Sequence, residues 1–372
     1  MVRRLRRLFI STPAQITALI VFLLAVTRFV QLYNHDPQDA PYYPARPLMS
    51  VENKNIDWAK YKYVMIAATQ EQLCGAVTVW SEIELRGSRA NRLMVYPSTW
   101  SRDEKDPATG ELTVTARLLS DAKDKYKAIL YPVESLREEH RTWPDAYLKL
   151  LAFNLTDWKR VLVLDSDSMV RGNMDDLFLF PESRLAMPYV WWGGGQGWDY
   201  SAQMLLIQPS HSEFSKLENV VRSATEGETD LSILQNVYGD QTLKIPHRPY
   251  GLTTVEFRRQ NHRAYTGGEK WHAEKALRDT KILHFSDWPI PKPWLRAPKD
   301  LINRHMPACQ QSPHGFGATD CTDRETWLKM YAEYEDTRMA VCGVGFEVTL
   351  MKEDVEALDP AKKKERWFHA DV

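Results

Sequence analysis

Arg160-Val161-Leu162-Val163-Leu164-Asp165-Ser166-Asp167 is the stretch that decides the fold. Its apolar run reads as a strand buried on both faces, the pattern of a parallel sheet covered by helices. The run empties into two carboxylates one residue apart. Strand alternation points Asp165 and Asp167 the same way, toward one bound ion, and hard oxygen ligands suit Mg2+ or Mn2+. A solvated acidic turn is the ordinary reading of an isolated Asp-x-Asp. This one is the only such pair in the chain, and it follows the most apolar strand of the body.

Working outward, strands are expected at Lys62–Ala68, Arg92–Tyr96 and Lys127–Tyr131, with a helical stretch from Gln70 and a helix over Trp143–Phe153 whose Pro144 suits a first turn. Strands alternating with helices imply βαβ units, right-handed crossovers and ligands at the carboxyl ends of the strands. The fold class is therefore α/β. The body of the fold is expected over residues 59–300. After about Leu301 the alternation is lost, and residues 301–372 read as a less regular C-terminal extension.

The 372 residues and 43.1 kDa suit one large α/β unit with appendages. With 44% hydrophobic and 26% charged residues, a packed core is expected rather than a disordered chain. The 48 basic and 49 acidic side chains leave a net charge of −1 and no global field for a polyanion, so nucleic acid is not an expected partner. The four cysteines, Cys74, Cys309, Cys321 and Cys342, form no Cys-x-x-Cys pair, which disfavours a zinc module and a disulfide-built miniprotein.

Arg3, Arg4, Arg6 and Arg7 precede an uncharged run, Leu8–Val26, whose nineteen residues span about 28 Å as a helix, close to a bilayer core. The run ends in Ala25-Val26-Thr27-Arg28, a poor cleavage site, which favours an uncleaved anchor over a signal peptide. A cytosolic tail (residues 1–7), a transmembrane signal anchor (8–27) and a Pro-rich stem (28–58, with Pro37, Pro41, Pro44 and Pro47) would then carry a lumenal body. A lumenal body fits the glycosylation sequon Asn154-Leu155-Thr156 and would let cysteines pair, Cys309 with Cys321 across a short loop being the favoured pair.

A second motif begins 119 residues after Asp165: His284-Phe285-Ser286-Asp287-Trp288-Pro289-Ile290-Pro291-Lys292-Pro293-Trp294. It resembles the His-...-Lys-Pro-Trp signature of glycosyltransferase family 8, the glycogenin-like retaining enzymes with a GT-A fold and a UDP-sugar donor, which implies that residues 59–300 form a Rossmann-like, GT-A-type catalytic domain. Lys149-Leu150, Trp158-Lys159-Arg160-Val161 and Leu164-Asp165-Ser166-Asp167 resemble that family's upstream run, and Gly239-Asp240-Gln241 its later Asp-Gln element. The similarity covers roughly residues 61–297.

The resemblance implies a metal site of Asp165, Asp167 and His284 for Mn2+ (or Mg2+). It implies a donor site in which Lys292 meets the diphosphate and Lys149, Ser166, Ala67, Ala68 and Thr69 bind the rest of the nucleotide. Asp240 and Gln241 would be the catalytic pair beside the transferred sugar. Among anchored members the chain looks most similar to the fungal N-acetylglucosaminyltransferases that modify glycoprotein mannans. The implied activity is transfer of a sugar, GlcNAc first, from a UDP-sugar to a glycan acceptor on glycoprotein, with retention of configuration. The implied location is the Golgi membrane, single-pass type II, with the catalytic domain lumenal. Glucosyl or galactosyl transfer of the glycogenin or galactinol-synthase kind is the alternative within the family.

Two features depart from the family pattern. Asp287 takes the place of a glycine and Lys292 follows His284 by eight residues instead of six, so a longer loop is expected; Ser201-Ala202-Gln203 replaces an Asn-Ser-Gly segment. Outside the family, haloacid-dehalogenase-type phosphatases also place Asp-x-Asp after an apolar strand. There, however, it usually follows the first strand of the core and reads Asp-x-Asp-x-[Thr/Val], from which Asp165-Ser166-Asp167-Ser168-Met169 departs at its last position. A non-catalytic anchored carbohydrate-binding protein would need neither metal nor UDP. Trp191, Trp192 and Trp198 around Gly193, Gly194, Gly195 and Gly197 could stack on an acceptor sugar, or simply pack the core or form a lid. Lys362-Lys363-Lys364 reads as a solvated run.

Overall fold

The computed structural model describes residues 55–134, 145–192, 200–225, 227–310, 319–343 and 348–349. The expected tail and anchor, most of the stem, Trp143, Pro144, Trp198, the glycines from Gly193 to Gly197 and the Lys362–Lys364 run lie outside them. Among the described residues no helix is long and apolar enough to cross a membrane.

A seven-stranded sheet organises the body in the order β3-β2-β1-β4-β7-β6-β8. Its strands are β1 (Tyr61–Ile66), β2 (Asn91–Pro97), β3 (Ile129–Val133), β4 (Arg160–Leu164), β6 (Leu185–Pro188), β7 (Met204–Ile207) and β8 (Leu243–Ile245). All neighbours pair in parallel except those of β7, which runs against β4 and β6. This mixed α/β sheet is the architecture a GT-A-type fold calls for. β4 has the expected bounds and all five of its residues are buried. β3 begins at Ile129 rather than at Lys127, because Lys127 stands in the left-handed region at φ 57° and cannot continue an extended strand.

The alternation in β1 and β4 explains why both strands are apolar throughout. Tyr63, Met65, Leu162 and Leu164 face one core with helix α1 (Gln70–Leu85), whereas Val64, Val161 and Val163 face a second core on the other side. That second core is built from α3 (His211–Arg222), α4 (Asp230–Tyr238) and the stretch Asp145–Asn154, which is wound as a tight 3-10 helix. α2 (Val114–Ser120) joins α1 on the first face. Burying each such Leu or Val is worth about 1.5–3 kcal/mol, so the sheet is held mainly from its two faces.

A smaller sheet sets β10 (Ile282–His284) between β5 (Ser168–Val170) and β9 (Leu252–Thr253). Two short helices, α5 (Ala273–Asp279) and α6 (Lys299–His305), flank this half. The residues after Leu301 are more regular than their sequence suggests. They contain α7 (Thr322–Cys342), twenty-one residues long, whose buried stripe Thr326, Met330, Tyr334, Arg338 and Cys342 repeats every four residues. Thr326 and Arg338 sit in that stripe, which is why hydrophobic periodicity does not reveal it. α7 is bonded to α1 by Cys74–Cys342, and Cys309 pairs with Cys321 as expected.

Candidate active site

Asp165 is the first residue past β4, at the carboxyl edge of the parallel strands. Its backbone N–H donates to the Gln203 carbonyl at 3.2 Å, which ties it to the start of β7. The next residue passes directly over α1: a Cβ placed at Gly75 would stand 2.5 Å from the Ser166 carbonyl oxygen, so only glycine admits the loop there. The chain returns as β5, and antiparallel pairing registers His284 of β10 against Ser168. A bond from the Phe285 N–H to the Asp167 carbonyl, 3.0 Å, closes the junction.

One ligand atom from each of Asp165, Asp167 and His284 consequently falls within 4.8 Å of the others. His284 Nε2 is 3.2 Å from Asp167 Oδ1 and 3.7 Å from Asp165 Oδ2. Two hard carboxylates and one imidazole are a donor set that fits Mn2+ or Mg2+. The three side chains converge on a common point, as a shared cation requires.

Two ammonium groups flank the carboxylates. Lys292 Nζ is 2.8 Å from Asp167 Oδ2, and Lys149 Nζ is 2.7 Å from Asp165 Oδ1. Burial alone would push the Asp167 carboxyl up, but His284 and Lys292 outweigh it and hold the group well below the usual carboxylate range. For Asp165 burial prevails, helped by the charge of Asp167 and opposed by Lys149, so its carboxyl is raised. Burial disfavours the Lys149 ammonium, yet Asp165 and Asp230 more than compensate and its pKa is raised. The two carboxylates thus differ: one is committed to the charged form, while the other gains most from an added cation.

Ala67, Ala68 and Thr69 follow β1 at the same carboxyl edge, because β1 and β4 are parallel neighbours in register. Ala67 N–H donates to the Val95 carbonyl at 3.0 Å, Ala68 N–H to Gln72 Oε1 at 2.8 Å, and Thr69 caps α1. Lys292 reaches Asp167 despite the longer spacing. Asp287, in the family's glycine position, is buried and accepts from Trp327 Nε1 and Tyr331 Oη, each at 2.9 Å, so the enlarged loop is moored to α7. Trp191 is a core residue, 8% exposed, with its Nε1 donating to Glu256 at 2.7 Å.

Asp240 and Gln241 are not brought to this cluster. Leu243 of β8 is level with Ala186 near the amino end of β6, so Asp240 and Gln241, three and two positions before it, lie at the amino edge of the sheet, opposite Asp165. Both are exposed, and Gln241 Oε1 accepts from Arg184 at 3.1 Å. The carboxylate that does reach the site is Asp230, whose Oδ2 is 3.3 Å from Lys149 Nζ. It opens α4 behind a capping box in which Thr229 and Ser232 satisfy each other's backbone N–H. Asp230 and Gly75 are not among the site residues expected from the sequence, although each leaves a signal there: a Thr-x-x-Ser cap for the first, a lone glycine inside an apolar helical run for the second. The Ala202 carbonyl, which accepts from Lys149 at 3.0 Å, left none.

The chain is similar to two fungal proteins named glucose N-acetyltransferase 1. It is 35% identical to that of Aspergillus fumigatus over 313 residues, 80% of each chain, and 37% identical to that of Gibberella zeae over 296 residues, 77% of this chain and 63% of the relative. It therefore spans just under two thirds of the Gibberella protein. Among solved structures, the glycosyltransferase GlyE of Streptococcus pneumoniae TIGR4 overlaps 76% of this chain and 63% of its own, with 17% identity and a TM-score of 0.46. No protein-family model matches the chain.

Proposed function

The chain belongs to the glucose N-acetyltransferase 1 family, and we propose that it is a metal-dependent glycosyltransferase moving GlcNAc from UDP-GlcNAc to a glycan acceptor with retention of configuration. One observation carries the proposal: Asp165, Asp167 and His284 converge at the carboxyl edge of a parallel sheet with an ammonium group on either side.

In this proposal Asp165, Asp167 and His284 hold Mn2+. A bound Mn2+ supplies Lewis-acid neutralisation of the charge that develops on the departing diphosphate. Lys292, now neutralising Asp167, shares its charge with the diphosphate oxygens, and the bond from Lys149 keeps Asp165 oriented. Ala67, Ala68 and Thr69 border the nucleoside end, and Ser166 presents its backbone beside them. Asp230 takes the sugar-side role expected of Asp240: a carboxylate at the mouth of the site can hold sugar hydroxyls and stabilise positive charge at the anomeric carbon.

The proposal also takes residues 8–27 as a Golgi signal anchor with the body lumenal. Four arginines before the apolar run and the pairing of all four cysteines favour this, since disulfides persist in oxidising compartments.

The test is UDP release from UDP-GlcNAc, UDP-glucose and UDP-galactose, with Mn2+ or with excess chelator, and anomeric analysis of the product. UDP-GlcNAc turnover that needs Mn2+ and vanishes in Asp167→Asn is expected. Full turnover in chelator would remove the metal from the proposal, and a preference for UDP-glucose or UDP-galactose would replace the donor.

A further inference from the structure

β10 lies between β5 and β9, and its last residue, His284, is in register with Ser168 on one side and with Thr253 on the other. Residues directly opposite across a ladder project from the same face. The cores agree. Val170 and Ile282 pack toward α1, whereas Met169, Leu283 and Leu252 pack toward α7, so Ser168, His284 and Thr253 share the α1 face. The imidazole therefore leaves the small sheet with a hydroxyl on each flank.

Those two hydroxyls are unusual. Ser168 is 1% exposed and Thr253 is 2% exposed, yet neither Ser168 Oγ nor Thr253 Oγ1 has a hydrogen-bond partner among the described residues. Buried polar atoms are nearly always partnered. Two hydroxyls close to β9 and β10 in sequence are partnered: Thr254 Oγ1 accepts from the Ser286 N–H at 3.0 Å, and Thr280 Oγ1 donates to the Ile282 carbonyl at 2.8 Å.

The chemistry of His284 supplies a reason. Its Nε2 faces Asp167 Oδ1 at 3.2 Å, a contact in which Nε2 donates its proton. If Nε2 is to give its lone pair to a cation, the proton must sit on Nδ1. With the cation bound the ring needs an acceptor at Nδ1, and without it a partner that suits Nδ1 with or without its proton. A carboxylate or carbonyl can only accept and a backbone N–H can only donate, whereas a hydroxyl does both.

We propose that Ser168 and Thr253 are positioning residues for His284, whose hydroxyls serve Nδ1 with or without its proton, by rotation about χ1 or through one water, and so leave Nε2 free for a divalent cation. When a cation takes Nε2, the proton there passes to Nδ1 if that atom is bare and otherwise to solvent, and in either case one proton stays on Nδ1. Neither hydroxyl touches substrate. The proposal rests on the metal reading above, and partners of this kind fix the tautomer and orientation of metal-bound histidines generally.

The experiment uses the full chain with Ser168→Ala, Thr253→Val, the double variant and Thr253→Ser. Three quantities are read: Mn2+ affinity without nucleotide, the His284 tautomer by long-range proton–nitrogen correlation with and without diamagnetic Mg2+, and the urea midpoint. The double variant should lose about 10- to 100-fold in Mn2+ affinity, Thr253→Ser should bind like the wild type, and the urea midpoints should match or exceed it. Mg2+ should take the proton from Nε2 of the wild-type ring and leave Nδ1 protonated, and fail to do so in the double variant. Mn2+ affinity within twofold of wild type, an unchanged tautomer response, or an affinity loss that merely follows a lower urea midpoint would overturn the proposal. If His284→Ala and Asp167→Asn bind Mn2+ as the wild type does, the metal reading is the one that fails. The metal-free tautomer ratio then decides the role of the hydroxyls, which is overturned if the double variant leaves it unchanged.

Discussion

Asp230 Oδ2 lies 3.3 Å from Lys149 Nζ, the same ammonium that stands 2.7 Å from Asp165 Oδ1. The lysine thus joins the first turn of α4 to the loop after β4. α4 itself keeps Asp240 away: its nine residues rise about 13 Å, so a side chain at its start and one beyond its end cannot share a site.

Exchanging the charge of these two aspartates should therefore have opposite results. Asp230→Asn is expected to lower the transfer rate about 10²-fold, roughly 3 kcal/mol, with little change in UDP affinity. Asp240→Asn should keep the wild-type rate. Initial rates beside UDP titrations check both, and a rate loss confined to Asp240→Asn would return the sugar-side role to that residue.

Gly75→Ala tests the close approach of α1 to the Ser166 loop. The added methyl meets a backbone oxygen at 2.5 Å, so helix or loop must shift, at about 1–3 kcal/mol, and Mn2+ affinity should fall with it. Gly172→Ala is the control for crowding that does not involve the Ser166 loop: its Cβ would stand 2.9 Å from Lys281 Cγ and 3.3 Å from Lys281 Cα. Equal metal affinity in the two variants would show that the Ser166 contact does not shape the site.

Cys74–Cys342 closes 268 positions and Cys309–Cys321 only 12. Cross-linking restrains the unfolded chain more for longer loops, so Cys342→Ser should cost about 2–5 kcal/mol and Cys309→Ser less. Urea unfolding of each variant measures the difference. The α7 end should also become a site of proteolytic cleavage in Cys342→Ser, and equal losses in the two variants would contradict this ordering.

Glu82 should give stability a pH dependence. Burial pushes its carboxyl up to about 8, even though the Val170 N–H donates to Oε2 at 2.6 Å. The folded chain therefore keeps a proton that the unfolded chain releases near the ordinary carboxylate pKa. The contribution is complete below about 4.5 and is lost as pH rises toward 8. Glu82→Gln mimics the neutral acid, so urea midpoints at pH 5 and pH 8 should differ less in the variant than in the wild type. An equal difference would show that Glu82 is charged in the folded protein.

Local sequence was sufficient wherever one strand or one motif carried the information. Arg160–Leu164 could only be a strand buried on both faces, and the Asp-x-Asp after it had to stand at the carboxyl edge of a parallel sheet. The order of Lys149, Asp165, Asp167, His284 and Lys292 also pointed to residues that the fold unites. What tertiary structure alone decided was which side of the sheet each remaining element faces. Asp230 and Asp240 bracket one helix, and nothing local distinguishes its site end from its far end until α4 is laid across the sheet. His284 reaches the carboxylates only because β10 pairs with β5, a contact between segments more than a hundred positions apart. The α7 stripe hides behind Thr326 and Arg338, polar residues that are buried because α7 packs against α1 and the small sheet. Periodicity records what a side chain prefers, whereas burial also depends on what arrives opposite it, and that partner is chosen by the whole chain at once.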